Sequence, residues 1–163
     1  MLLLYVDDLF VTGMDGLIVD TKRKLAAEFE MKELGMMHYF LGMEVGQSVD
    51  GIFLGQGKYA VEILKRFGMM DCNPMATPME SNLKLLSDAS SETLDATMYC
   101  QMIGSLMYLV NMRPDICFAM KTLSQYLTDL RSVHLIVAKY ILRYLKGTVD
   151  YGLKYEANQN ISL

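Results

Sequence analysis

The chain has 163 residues, 52% of them hydrophobic, with fifteen Met, no Trp and a formal charge of −4 at pH 7. That is enough apolar material for the core of one ordinary domain or two small ones, and the acidic balance supplies no overall field for polyanions. No apolar run approaches the roughly 20 residues of a membrane helix, and three cysteines (Cys72, Cys100, Cys117) without C-x-x-C spacing favour free thiols over disulfides or a zinc site.

Leu2–Tyr5 and Leu9–Thr12 are apolar or β-prone and flank Val6-Asp7-Asp8, a pattern that predicts a tight hairpin with an acidic tip. The first six residues are as greasy as part of a signal peptide, but they lack a basic flank and the aspartates interrupt them, so a non-secreted chain that begins inside a larger domain is expected. Gly13 breaks the strand, and Asp15 is placed to cap a helix over 16–30 with Ile18, Leu25 and Phe29 on one face. HYFLGMEV (38–45) and GIFL (51–54) predict two strands turned at Asp50-Gly51. A short helix over 58–67 directs Tyr59, Ile63, Leu64 and Phe67 inward, and Gly68 is placed to end it. Residues 69–95 hold Asn73, Pro74, Pro78, Asn82 and four serines, which makes them a linker or a long ordered loop.

The remainder is expected to be helical. Asp95 can cap a helix over 96–112 carrying Tyr99, Met102, Ile103, Leu106, Met107 and Val110. Gly104 and Ser105 would let a neighbouring helix come close. Pro114 suits the first turn of a second helix, with Ile116, Ala119, Leu123 and Tyr126 or Leu127 inward. Ser132 can cap a third, with Leu135, Ala138, Ile141, Leu142 and Leu145 inward and Gly147 at its close. Three amphipathic helices with short connections make a small bundle. Residues 1–95 hold eight Lys and Arg against fifteen Asp and Glu, and residues 96–163 seven against four. An acidic half joined to a mildly basic half is compatible with a metal site beside a phosphate-binding surface.

A solvated Asp-Asp at a turn needs no function. A tight turn also lets two adjacent carboxylates converge on one region, and converging carboxylates repel unless a cation sits between them. Mg²⁺ takes oxygen ligands and keeps positions open for phosphates, and a pair of such ions ~3.5–4 Å apart clamps both oxygens of a phosphoryl transfer. MLLLYVDDLF is therefore compatible with half of a two-metal nucleotidyl-transfer site.

LLLYVDDLFVTG resembles the catalytic hairpin of reverse transcriptases, whose hallmark is Y-x-D-D. FEMKELGMMHYFLGMEV, GIFLGQGKYAVEILKRFGM, YCQMIGSLMYLVNMRPDICFA and ILRYLKGT follow in the order seen in copia-type retrotransposon polyproteins, so the resemblance covers nearly the whole chain. It implies an α+β chain, a partial polymerase palm of hairpins plus helix followed by a helical thumb. Residues 1–56 would be the later half of the palm, with the YVDD hairpin and a primer-grip-like hairpin. Residues 57–95 would be a short helix and linker, 96–147 the thumb, and 148–163 a connection toward a missing RNase H domain.

The same resemblance implies the site. Asp7 and Asp8 would be the catalytic metal ligands, with Mg²⁺ or Mn²⁺ expected in the intact polymerase. Tyr5 would pack beneath the site or near the primer end; a half-buried strand tyrosine is the plain alternative. His38, Tyr39, Phe40, Leu41 and Gly42 fall where the family's primer grip holds the primer, although His38 also reads as a strand-edge residue. Lys139, Arg143 and Lys146, spaced along one helix stripe, would touch phosphates of a template–primer duplex, or form an ordinary solvated face. Lys32 would act as a general acid for departing pyrophosphate, or be a surface lysine. His134 is expected at the surface, and Arg113-Pro114-Asp115 is expected to shape a turn between thumb helices. In the parent enzyme the partners are an RNA or DNA template–primer, deoxynucleotides, and the upstream fingers and palm and downstream RNase H domain of the same polyprotein. The setting would be cytoplasmic, in virus-like particles. The family's third metal-binding aspartate precedes YVDD and lies outside these residues. Three readings follow: an RNA-directed DNA polymerase fragment inactive alone, a non-catalytic nucleic-acid-binding remnant, or a retroelement fragment without a role.

Overall fold

The computed structural model describes residues 1–80, 96–127 and 130–157. Of the linker or loop expected over 69–95, residues 81–95, with the Asp95 cap, lie outside the described residues, as do the last six residues. The chain divides into two units, Met1–Met37 and His38–Leu163.

In the first unit, strands β1 (Leu2–Tyr5) and β2 (Asp8–Val11) form an antiparallel hairpin, followed by helix α1 (Asp15–Glu28). The helix begins one residue earlier than expected. Met14 is its N-cap, and Asp15 sits in the first turn, where a carboxylate complements the helix dipole. Asp20 pairs with Arg23 and Lys24, each at 2.6 Å, and hydrogen bonds from Lys24 and then Arg23 hold its carboxyl below the usual range. No residue of this unit is buried. Ile18 and Leu25 are half-buried, but Phe29 lies past the helix end in extended backbone and is 63% exposed. A two-stranded ribbon and one helix offer too little surface to cover a helix face.

The second unit joins an antiparallel sheet to a helical core. The sheet order is β3 (Tyr39–Phe40), β4 (Met43–Ser48), β5 (Gly51–Gly55) and β6 (Gly152–Glu156). The single strand expected over 38–45 is a second hairpin, broken at Leu41-Gly42. Both turn residues have positive φ, 49° and 76°, as a two-residue turn matched to strand twist demands. Residues 152–156, expected to lead out toward another domain, pair with β5 from Gly51↔Glu156 to Gly55↔Gly152. Phe53 explains the glycines beside it. Its ring lies where side chains on Gly55 and Gly152 would stand, within 2.8 and 2.6 Å of a Cβ at each, and at Gly152 the Leu54 carbonyl oxygen would stand closer still, at 2.3 Å, so the aromatic covers backbone that glycine leaves bare.

Helix α2 (Gly57–Arg66) follows β5 directly, its first amide held by Glu44 Oε2 of β4 at 3.1 Å. It ends as expected at Gly68, φ 66°. Gly68 N–H donates to Lys65 O and Met69 N–H to Leu64 O, the paired bonds of a glycine C-cap. Helices α3 (Ala96–Leu109), α4 (Cys117–Ser124) and α5 (Ser132–Gly147) complete the core, with a 3₁₀ turn at Pro114–Ile116 before α4. Ile63 and Leu64 of α2 are buried with Tyr99, Met102 and Leu106 of α3, Met120 and Leu123 of α4, and Ile141, Leu142 and Leu145 of α5. Helix α2 thus belongs to the same core as the three later helices. The Tyr99 hydroxyl donates to Leu123 O at 3.0 Å, and burial pushes its pKa up to about 12.

Several expectations for the helices are corrected. Helix α3 stops at Leu109, not 112, and Met107, expected inward, is 47% exposed. A Cβ on Gly104 would meet open space, so that glycine admits no neighbouring helix. Ser105 does pack inward, and its Oγ donates to Gln101 O at 2.8 Å. Arg131, not Ser132, is the N-cap of α5. His134 is fully buried rather than at the surface: its Nδ1 accepts the Arg131 N–H at 3.1 Å, and its ring stacks on Tyr126 at 4.0 Å. A histidine at N3 thus takes the place of the Glu or Gln of a capping box, because its ring nitrogen accepts the N-cap amide as their side-chain oxygen would.

Arg113-Pro114-Asp115 does more than shape a turn. Arg113 is only 2% exposed. Its guanidinium donates to both Asp115 carboxylate oxygens, to Thr148 O at 2.8 Å and to Thr148 Oγ1 at 2.6 Å. The Tyr144 hydroxyl donates to Asp115 Oδ2 at 2.8 Å, and the Tyr144 and Tyr151 rings flank the cation at 5.7 and 5.5 Å. The cluster ties the start of the 3₁₀ turn to the end of α5, just before the chain returns into β6. Burial alone would raise the Asp115 pKa; hydrogen bonds from Arg113 and Tyr144 outweigh it and hold the carboxyl below 3.8. A depressed folded-state pKa stabilises above the unfolded value and loses that contribution as pH falls through the folded one. Wild type should therefore lose stability below pH 3.8 more steeply than Asp115→Asn, as followed by denaturant melts at stepped pH. Parallel curves would exclude the linkage.

Candidate functional site

The YVDD hairpin closes on the Tyr5↔Asp8 pair, leaving Val6 and Asp7 as a two-residue turn. Val6 has φ 51°. A β-branched residue at positive φ is a conformational outlier, and such strain collects at functional turns. Asp7 and Asp8 are both exposed, and neither makes an ion pair among the described residues. Carboxylate oxygens are the donors that a hard divalent cation takes. They do not complete a cage: among the described residues no group of three or more His, Cys, Asp or Glu could hold a metal. Tyr5, 45% exposed, lies on the same hairpin. Lys32 is exposed in irregular backbone after α1.

In the second unit, the residues singled out at 38–42 form the β3–β4 hairpin. His38 is exposed and its carbonyl accepts the Val45 N–H at 2.9 Å, at the sheet edge. Tyr39 is 56% exposed, with Lys58 Nζ 5.7 Å from its ring centre. Phe40 is half-buried, Leu41 is 47% exposed, and Leu41 O accepts the Tyr108 hydroxyl at 2.6 Å. Sequence reading missed Tyr108 and Lys58. The available signal was Gly42, since glycine inside a strand pattern marks a turn or the close approach of another group.

The α5 stripe separates into different roles. Lys139 is exposed. Arg143 Nε donates to Asn73 O at 2.7 Å, and Lys146 Nζ donates to Met70 O. Arg143 O in turn accepts the Met75 N–H at 3.3 Å, and Gly147 leaves room for Pro74, whose side chain lies 3.0 Å from where a Cβ would be. Two of the three cations thus fasten residues 70–75 to α5. Arg143→Ala and Lys146→Ala should each speed proteolysis within 70–75 several-fold, while Lys139→Ala leaves it unchanged. Equal susceptibility in all three would reduce the stripe to a solvated face.

The first unit thus offers an exposed acidic hairpin, and the second an aromatic-flanked hairpin on a helical core. Residues 1–81 match the family model for reverse transcriptase (RNA-dependent DNA polymerase). The chain is 38% identical, over 99% of its length, to an uncharacterized mitochondrial protein of Arabidopsis thaliana, covering 68% of that protein. It is 37% identical over 99% of its length to the retrovirus-related Pol polyprotein from transposon RE2 of Arabidopsis thaliana, covering 11% of it. With the Pol polyprotein from transposon TNT 1-94 of Nicotiana tabacum it shares 38% identity over 90% of its length, 12% of that protein. The chain belongs to the reverse transcriptase family of copia-type retrotransposon Pol polyproteins. It spans only about a ninth of the polyproteins it matches. No solved structure matches it significantly, and among the described residues no helix is long and apolar enough to cross a membrane.

Proposed function

We propose that this chain is the later palm and the thumb of a retrotransposon reverse transcriptase, an RNA-directed DNA polymerase that acts only when the rest of its polymerase domain is supplied. The observation that carries this reading is the YVDD hairpin, whose two carboxylates are exposed, one in a strained two-residue turn and one on the first residue of the strand after it, in a chain of this family. Asp7 and Asp8 would supply oxygen ligands to Mg²⁺ or Mn²⁺. When bound, such ions lower the barrier to phosphoryl transfer by stabilising the attacking and leaving oxygens. Tyr5 supports the hairpin beside them. The β3–β4 hairpin, His38 to Gly42, holds the primer end, and Lys58 and Lys139, both exposed, meet phosphates without reading sequence. Lys32 is placed in this reading to protonate departing pyrophosphate. Template–primer and deoxynucleotides are the substrates, and the setting is intracellular.

A second reading, grip without synthesis, is favoured by one observation: the metal-competent group among the described residues stops at two carboxylates. Primer extension separates the two. Purified 1–163 should not extend a primer on an RNA template. The same chain joined in cis to the fingers and upstream palm strand of its own element should do so. Extension by 1–163 alone would overturn the requirement for the rest of the domain, and none by the joined chain while it binds template–primer would overturn the polymerase reading.

A further inference from the structure

The hydroxyl of Tyr108, on α3, reaches the tip of the β3–β4 hairpin and donates to Leu41 O at 2.6 Å. It occupies the place where a side chain on Gly42 would begin: a Cβ there would lie 2.5 Å from the hydroxyl oxygen. Both turn residues have positive φ, and Leu41, at 49°, is not a glycine. Such backbone persists only where its surroundings hold it. Tyr108 is itself held. Its ring meets Tyr59 edge-to-face at 4.9 Å, and the Tyr59 hydroxyl donates to Ser105 O at 3.4 Å, one turn before Tyr108 on the same helix. Strand, turn, tyrosine pair and helix thus form one closed set of contacts within the second unit.

We infer that Tyr108 is a positioning residue, which locks the Leu41-Gly42 tip against α3 so that Tyr39 and Leu41 present one fixed surface to the end of a bound nucleic-acid strand. Binding of that strand rests on the preceding reading; the lock does not. With the lock in place, the hairpin tip and α3 move together, and a shift of the helix is carried to the tip. Without it, the turn loses its hydrogen bond to α3 and rests on the short Tyr39–Phe40 strand paired with β4.

The test is a double-substitution cycle on 1–163. Tyr108→Phe removes the hydrogen bond and should speed amide exchange at 41–43 by roughly two- to tenfold, as loss of one hydrogen bond implies, with no change elsewhere in the sheet. Gly42→Ala should raise the unfolding equilibrium constant roughly 100-fold in wild type, from positive-φ strain and the clash combined. In the Tyr108→Phe background, where the clashing oxygen is gone, the rise should be roughly tenfold. An additive cycle, or unchanged exchange at 41–43, overturns the lock; the exchange result stands even if Gly42→Ala fails to fold. The second arm uses a primer–template duplex with 2-aminopurine at the primer 3′ end. Wild type should change its fluorescence, and Tyr108→Phe should bind the duplex with unchanged affinity yet lose most of that change. A coupled cycle with no fluorescence response from wild type would refute the nucleic-acid role and leave the lock standing.

Discussion

Replacing Asp7 or Asp8 by Asn in the complete polymerase domain should lower primer extension by at least about 10²-fold, the scale expected when reacting groups lose their fixed placement by ~1 Å. Asparagine keeps the size and turn preference of aspartate but gives up the charge and one hard oxygen. Both residues are exposed, and Asp8 joins the ladder through its backbone opposite Tyr5. The substitutions should therefore change stability by no more than about 0.5 kcal/mol, as for other surface sites. The informative result is the dissociation: activity gone, melting curve and duplex binding intact. An Asn variant that keeps wild-type synthesis would remove Asp7 and Asp8 from the chemistry, and one that loses activity together with its fold would leave the hairpin a structural role only.

The largest stability effect should come from Arg113→Ala, which should destabilise the second unit by about 3–5 kcal/mol, the range for breaking a buried ion pair by removing one partner. The substitution leaves Thr148 O without its donor, strips the Asp115 carboxylate of its bidentate partner, and empties the space between Tyr144 and Tyr151. Lysine cannot repair this, because a single ammonium cannot reach Asp115 and Thr148 together in the geometry of a planar fork. Arg113→Lys should fall close to Arg113→Ala, and Thr148→Val, which removes the hydroxyl's bond from Arg113 and its own to Tyr144 O, should cost about 2 kcal/mol. Denaturant melts monitored on tyrosine fluorescence give all three values. An Arg113→Ala chain within about 1 kcal/mol of wild type would show the cluster to be dispensable.

The elements legible in the sequence are those with local causes. The hairpin around Val6-Asp7-Asp8, the helix ended by Gly68 and the Pro114 start each follow from the nearest few side chains, whereas the turn expected at Asp50-Gly51 falls one residue earlier, at Val49-Asp50, because Gly51 pairs with Ser48 as the first residue of β5. Their residues carry the constraint themselves, through turn chemistry or a fixed φ. The amphipathic faces of α2 and α5 were legible for the same reason, and Ile63, Leu64, Ile141, Leu142 and Leu145 are buried as their spacing requires. Where a face had nothing to pack on, periodicity misled: α1 shows an apolar side, yet none of its residues is buried.

The sequence by itself determined the family, through an ordered series of motifs, because a family likeness depends only on residue identity and order. Tertiary structure alone decided which groups those residues meet. The spacing of Arg143 and Lys146 suits either phosphates or a solvated face, and only the fold places Asn73 O and Met70 O of the 70–75 segment against them. His134 looked like a surface residue until the turn before α5 brought an open amide to its ring nitrogen. Arg113 looked like a turn residue until Thr148, thirty-five positions later, came to its guanidinium. A charged side chain advertises its hydrogen-bonding capacity but not its partner, and partners this distant are set by helix packing rather than by neighbouring residues.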